Sequence, residues 1–253
     1  MFRSKKWELI LVSLVLISLP FGNNLEKNAP RTIIFSGYEW EVRSSRTAKA
    51  YPGPNYFAGS EEDVWVDMHG QLHLKITERN GRWYCSEVAT KASLGYGKYI
   101  FQLSTRPEKL DKKIVVGLFT YDNNPKYHHR EIDIEFSRWG QDKNENAYYT
   151  VQPWDRKGNM KGFNFELEGD SSTHVFDWSP DYIVFQSFSG HHLSPTVNAD
   201  MVESWKYDGS DIPPSGEERA LIDFWLNKGR PPSNGQDAEI VIKAFEFKRM
   251  NGN

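Results

Sequence analysis

The stretch Gln71-Leu-His-Leu-Lys-Ile-Thr-Glu78 places Leu72, Leu74 and Ile76 on one face and His73, Lys75 and Thr77 on the other. That is the period-two pattern of a half-buried strand. Similar short runs recur at 64–68, 96–104, 114–121, 131–139, 147–152, 164–167, 174–178, 182–188, 220–226 and 239–248. Turn-forming clusters separate them, among them Tyr51-Pro-Gly-Pro-Asn55, Asp122-Asn-Asn-Pro125, Arg156-Lys-Gly-Asn159 and Pro213-Pro-Ser-Gly216. No window of helical length carries an i, i+3, i+4, i+7 stripe. Ten or more strands with regular turns predict an all-β fold, a jelly-roll sandwich of two antiparallel sheets. The 253 residues lie within the range that such sandwiches occupy as one domain, and no internal repeat marks a second.

Composition narrows the function. With 38% hydrophobic and 26% charged residues the chain can build a large core. Nine Trp, 12 Tyr and 15 Phe are more rings than a core needs, so part of that surface is expected in clefts. The net charge of −3 becomes −5 once residues 1–22 are set aside, which argues against a nucleic-acid partner. A single cysteine, Cys85, excludes an intramolecular disulfide and a cysteine-rich zinc site. The pairs His128-His129 and His191-His192 lack the spacing of zinc ligands, and no G-x-S-x-G, phosphate-binding glycine loop or H-E-x-x-H is present.

The N-terminal residues read as an export signal. Arg3-Ser-Lys-Lys6 is followed by an apolar run from Leu9 to Leu19 and then Pro20. That run falls short of the ~20 residues a membrane-spanning helix needs. Residues 1–22 are therefore expected to be a signal peptide, 23–31 a polar lead-in, and 32–253 the folded domain. Secreted or periplasmic location follows, with membrane contact only through an uncleaved signal segment.

One run departs from the pattern of an apolar inside and a mixed outside. In His128-His-Arg-Glu131-Ile-Asp133-Ile-Glu135-Phe136, alternation sends Ile132, Ile134 and Phe136 to the core and leaves Glu131, Asp133 and Glu135 in a row on the other face. Neighbours in that row stand about 7 Å apart at the backbone and the outer two about 14 Å. Leaning toward a common point, the outer carboxyls can reach the ~5–5.5 Å separation that retaining glycosidases use. A solvated strand face usually mixes signs, whereas three aligned like charges raise one another's pKa, a cost met at functional sites. Calcium would draw its oxygens from a loop rather than from a regular strand.

Glu131-Ile-Asp-Ile-Glu-Phe136 resembles the active-site strand of glycoside hydrolase family 16, the family of lichenases, laminarinases, agarases and xyloglucan transferases. The unbulged pattern E-x-D-x-E is similar to the lichenase and xyloglucan-transferase branch. Flanking segments agree in order: Glu87 after Cys85, Gly95-Tyr-Gly-Lys-Tyr99, Leu118-Phe-Thr-Tyr121, Tyr148-Tyr-Thr150, Phe176-Asp-Trp178 and Phe224-Trp225. The resemblance implies a β-jelly-roll catalytic domain with Glu131 as nucleophile, Glu135 as general acid/base and Asp133 as helper. It further implies sugar contacts at Glu87, Tyr121, Tyr149 and Trp225. Trp139 and Trp154 are additional aromatic candidates without a clear counterpart in the family.

By the same resemblance, a secreted retaining endo-β-glucanase acting on β-1,3-1,4-glucan or a related neutral β-glucan is expected. A transglycosylase on the same site, or a glycan-binding protein of the same fold, is the alternative. A polysaccharide is the expected partner and a monomer the expected state. No cofactor is required for bond cleavage, and a structural calcium of the branch is left open because its carboxylate position is Glu246 here. Three departures from lichenases, His129, Ala89 and Ala147, loosen the glucan assignment. Cys85 lacks its upstream partner and is expected to be a buried, inert thiol.

Overall fold

The computed structural model describes residues 30–192 and 200–250. The expected signal peptide, and the lead-in up to residue 29, lie outside the described residues. Among the described residues no helix is long and apolar enough to cross a membrane.

Sixteen strands make up the described chain: β1 (Arg31–Phe35), β2 (Tyr38–Val42), β3 (Tyr56–Phe57), β4 (Val64–Val66), β5 (Leu72–Arg79), β6 (Arg82–Thr90), β7 (Gly97–Leu103), β8 (Ile114–Tyr121), β9 (Ile132–Phe136), β10 (Ala147–Val151), β11 (Met160–Phe163), β12 (Ser172–Trp178), β13 (Ile183–Ser189), β14 (Met201–Tyr207), β15 (Arg219–Leu226) and β16 (Ala238–Arg249). One antiparallel layer runs β11-β10-β9-β8-β15-β6 and continues through β2 to β1; the other runs β5-β16-β7-β12-β13-β14, with β4 on β5. The β5–β6 hairpin joins them, closing at Arg79 and Arg82. This is the expected jelly roll, with one parallel pair added, β3 on β6.

The layers are held together by a shared aromatic core. Phe136 on β9 meets His174 on β12 edge-on, Tyr149 on β10 stacks on Phe185 of β13, and Trp40 on β2 meets Phe245 of β16 edge-on. Fully burying rings of this size stabilises by about 1.5 to 3 kcal/mol each, which a chain without a disulfide needs. Cys85 sits in this core, where burial pushes its thiol up to about 12, so it is unreactive. Residues 164–167 are not a strand. Phe165 and Leu167 are buried, but the Asn146 side chain accepts from the Phe165 amide at 2.7 Å and donates to its carbonyl at 2.9 Å, satisfying that backbone without a ladder.

Candidate active site

A cleft of about 1410 Å³ opens over the middle of the first layer, and Glu131, Asp133 and Glu135 all line it. The alternation of β9 does this: Ile132, Ile134 and Phe136 are buried in the core, so the odd positions face out. Glu131 stands just ahead of β9, at the end of a 3-10 turn over Pro125–Arg130. Its carbonyl still accepts from the Gln152 amide at 3.1 Å, which ties it to the chain leaving β10.

Register across the layer arranges the floor in rows. One row crosses five strands: Tyr148 on β10, Glu135 on β9, Gly117 on β8, Asp223 on β15 and Glu87 on β6. The next holds Thr150, Asp133, Phe119, Leu221 and Ala89. Gly117 leaves a gap that Asp223 fills, since a Cβ at 117 would collide with Asp223 Oδ1. A fourth carboxyl thereby leans over the gap beside Glu135. Two buried side-chain oxygens without a hydrogen-bond partner, Asp223 Oδ1 and Thr150 Oγ1, belong to this lining. Unpaired buried oxygens suit a ligand rich in hydroxyls.

The carboxyls are costly to ionise here. Burial, then the charge of Glu135, pushes Glu131 up to about 8, opposed by Gln152; burial pushes Glu135 up to about 7. Asp133 is raised well above the carboxylate range by burial first and then by Glu131 and Glu135. Asp223 is raised likewise, by burial and then by Glu87 and Glu135. Glu131, Asp133 and Glu135 share their protons as one unit. Within that unit the hydrogen bonds are uneven: Gln152 Nε2 donates to Asp133 Oδ2 at 3.1 Å and to Glu131 Oε1 at 3.4 Å, whereas burial is the one cause that shifts Glu135. These bonds favour negative charge on Asp133 and Glu131 and offset part of the burial cost there, leaving Glu131 and Glu135 to titrate close together as one coupled unit.

The walls are aromatic. Trp139 stands 6.1 Å from both Trp225 and Tyr148, forming a cluster at the Glu135 end. At the Glu131 end Tyr121 stacks on His129 at 5.0 Å, and exposed Trp154 donates its amide to Gln152 Oε1 at 2.9 Å. Tyr51, largely exposed, also lines the cleft. Desolvation first, and then Glu131, Glu135, Asp133 and Asp223, raise its hydroxyl pKa. Its carbonyl accepts from Arg43 Nη2 at 2.6 Å, while Arg43 Nη1 pairs with Glu87 at 2.5 Å.

Glu87, Tyr121, Trp139, Trp154 and Trp225 thus lie where a cleft ligand meets them. Tyr149 does not, and the expectation of a sugar contact there is corrected. Ala147, Tyr149 and Val151 are the inward residues of β10, and the Tyr149 hydroxyl donates to Ser187 Oγ at 2.8 Å inside the core. Its neighbour Tyr148 takes the cleft position. Ala147 is likewise a core residue, so it offers nothing to a sugar. Asp223, Gly117, Gln152, Tyr148, Arg43 and Tyr51 belong to the site and were not singled out from sequence.

Glu246, the carboxylate position of the structural calcium that the resemblance left open, is engaged in an ion pair. The Glu246 carboxylate faces Lys248 Nζ at 3.4 Å, and among the described residues no group of three or more His, Cys, Asp or Glu side chains converges.

Comparison with known proteins fits this geometry. The model of glycosyl hydrolases family 16 matches residues 55–192, which include the whole carboxylate row and both strands beside it. The chain belongs to glycosyl hydrolases family 16. Two beta-glucanases of Acetivibrio thermocellus are similar to this family 16 chain, one 30% identical over 176 residues and the other 28% over 228. Those matches cover 62% and 81% of the chain but 47% and 60% of the relatives, so the chain spans about half to three fifths of their length. Among solved structures, the beta-glucanase of Bacillus licheniformis aligns with a TM-score of 0.60 at 16% identity, over 88% of this chain and 99% of that one. A laminarinase from Flavobacterium sp. UMI-01 aligns at 0.61 and 13% identity, over 83% and 93%. At such identities the likeness is one of fold.

Proposed function

We propose that the chain is a secreted, retaining endo-β-glucanase that hydrolyses a mixed-linkage β-1,3-1,4-glucan or a related neutral β-glucan by double displacement. The observation that carries this reading is the row of Glu131, Asp133 and Glu135 on the floor of one cleft with aromatic walls at both ends. In the first step a Glu131 carboxylate oxygen attacks the anomeric carbon while the bond to the leaving oxygen breaks and Glu135 gives that oxygen its proton. A glycosyl ester on Glu131 results. In the second step Glu135, now a carboxylate, takes a proton from water as the water oxygen attacks the same carbon and Glu131 departs as carboxylate. Asp133 stands between them and couples their titrations.

Two features support a neutral chain cut internally. The guanidiniums that line the cleft are matched by carboxylates, Arg43 by Glu87, Arg130 by Asp122 and Arg219 by Glu41, which leaves them poorly suited to sulfate groups. Rings lie on both sides of the dyad, so sugars can be held on both sides of the cut. The names of the similar proteins, beta-glucanase and laminarinase, point the same way. Export rests on residues 1–22 alone, and N-terminal sequencing of protein from the native host tests it.

Reducing-sugar assays on barley glucan, laminarin, xyloglucan, agarose and carrageenan test the substrate, and proton NMR of the first-formed reducing end tests retention. Activity confined to the galactans, or an inverted first product, would overturn the respective parts. Products larger than the substrate would move the reading to transglycosylation.

A further inference from the structure

The turn that delivers Glu131 is built at a cost. His128, His129 and Arg130 have φ of 50°, 62° and 49° in succession, and none is glycine. Left-handed residues of this kind persist only where the surroundings hold them. Here the backbone is pinned by β8 and its exit: Thr120 Oγ1 donates to the Arg130 carbonyl at 2.8 Å, and the Asp122 amide to the His129 carbonyl at 2.7 Å.

The larger restraint is the Arg130 side chain. Its Nε donates to the Pro214 carbonyl at 2.7 Å, Nη1 to the Asp122 carboxylate, and Glu218 lies 3.8 Å away. These three side chains are 9%, 4% and 0% exposed. Tyr127 lies against the guanidinium at 4.6 Å, and Gly216 has no side chain where a Cβ would strike Arg130 Cζ. The Gly216 amide in turn donates to Glu218 Oε2 at 2.6 Å. An arginine whose Nε and Nη1 are both engaged by protein groups is fitted for bracing rather than for gripping a ligand.

We propose that Arg130 is a positioning residue for Glu131: its buried clamp on Asp122, Pro214 and Glu218 holds the left-handed turn at 128–130, and that turn sets where the Glu131 carboxylate stands relative to Glu135. The inference rests on Glu131 being the nucleophile. Arg130 acts through the backbone and touches no reacting atom.

Arg130→Gln and Gly216→Ala test it by steady-state kinetics on barley glucan, with active enzyme counted by folded fraction. Gly216→Ala keeps every charge and only pushes the guanidinium aside, so it carries the test if Arg130→Gln does not fold. Both variants should lower kcat by about 30- to 100-fold and leave KM within about twofold, because a misplacement near 1 Å costs about that much. A second background separates positioning from packing. With His128→Gly and His129→Gly the turn needs less restraint, since glycine takes positive φ freely, and there Arg130→Gln should cost less than about fivefold. A crystal structure of Arg130→Gln should show residues 128–130 returned to negative φ and the Glu131 carboxylate moved. The proposal is overturned if either folded variant keeps wild-type kcat while Glu131→Ala is inactive, or if the loss is the same in the glycine background. Wild-type turnover by Glu131→Ala would instead remove the nucleophile reading, and this proposal with it.

Discussion

Glu131→Gln keeps the shape of the side chain and removes a carboxyl that burial and Glu135 push from 4.5 up to about 8. A carboxyl harder to ionise in the fold than in the unfolded chain weakens the fold as it ionises. Below pH 4.5 it is neutral in both states and costs nothing. Between 4.5 and about 8 only the unfolded chain gains by ionising, and above 8 the penalty is complete. Three and a half pH units at about 1.4 kcal/mol each set an upper bound of about 5 kcal/mol. Sharing of protons with Asp133 and Glu135, and water in the open cleft, reduce the expected gain at pH 8.5 to about 2 to 3 kcal/mol. For a domain of this size that is about 5 to 10 °C in Tm. Calorimetric melts of wild type and Glu131→Gln from pH 4 to 9 should show curves that coincide near pH 4.5 and separate steadily above it. A difference in Tm independent of pH would refute the reasoning.

Three further outcomes are expected. Glu131→Ala and Glu135→Ala should each lower kcat by several orders of magnitude with folding intact by circular dichroism, while Asp133→Asn loses less and shifts the pH profile. Tyr148→Ala and Trp225→Ala should raise KM more than they lower kcat, whereas Tyr149→Phe should leave both unchanged and lower unfolding stability by about 1 kcal/mol through its lost bond to Ser187. Gly117→Ala drives a methyl group into Asp223, and urea titration should find it about 1 to 3 kcal/mol less stable.

Alternation made β5, β9 and most of the longer strands legible, and the jelly roll and the carboxylate row followed from them, whereas β1, β2, β11 and β14 were not read. Nor was β6: Cys85 through Thr90 is buried on both faces, and its Ser86-Glu87 pair breaks the apolar run that a doubly covered strand shows instead of a period of two. Its cleft residue Glu87 was reached only through the family resemblance. Tyr149 was misplaced by one position where two tyrosines adjoin. The inward set Ala147, Tyr149 and Val151 in β10 decides the matter once the register is known. Asp223 was within reach: Ala220, Ile222, Phe224 and Leu226 are the apolar positions of β15, and Asp223 shares the other face with Trp225. Arg43, Tyr51 and Arg130 were beyond it, since their roles depend on which distant loops the fold brings beside them.

β15 lies between β8 and β6 and follows both of them by more than ninety residues in the chain. Until that strand is seated, the cleft layer exists as two fragments facing each other with raw edges of unpaired amides and carbonyls. Such edges readily pair with another chain. The contacts that close the gap join Asp223 to Gly117 and Glu87, more than a hundred residues away in sequence. Assembly dominated by such distant pairings proceeds in milliseconds to seconds rather than microseconds. The closing strand also carries Asp223 and Trp225 to the cleft, so a chain shortened anywhere before Arg219 would lack a continuous floor as well as a finished fold.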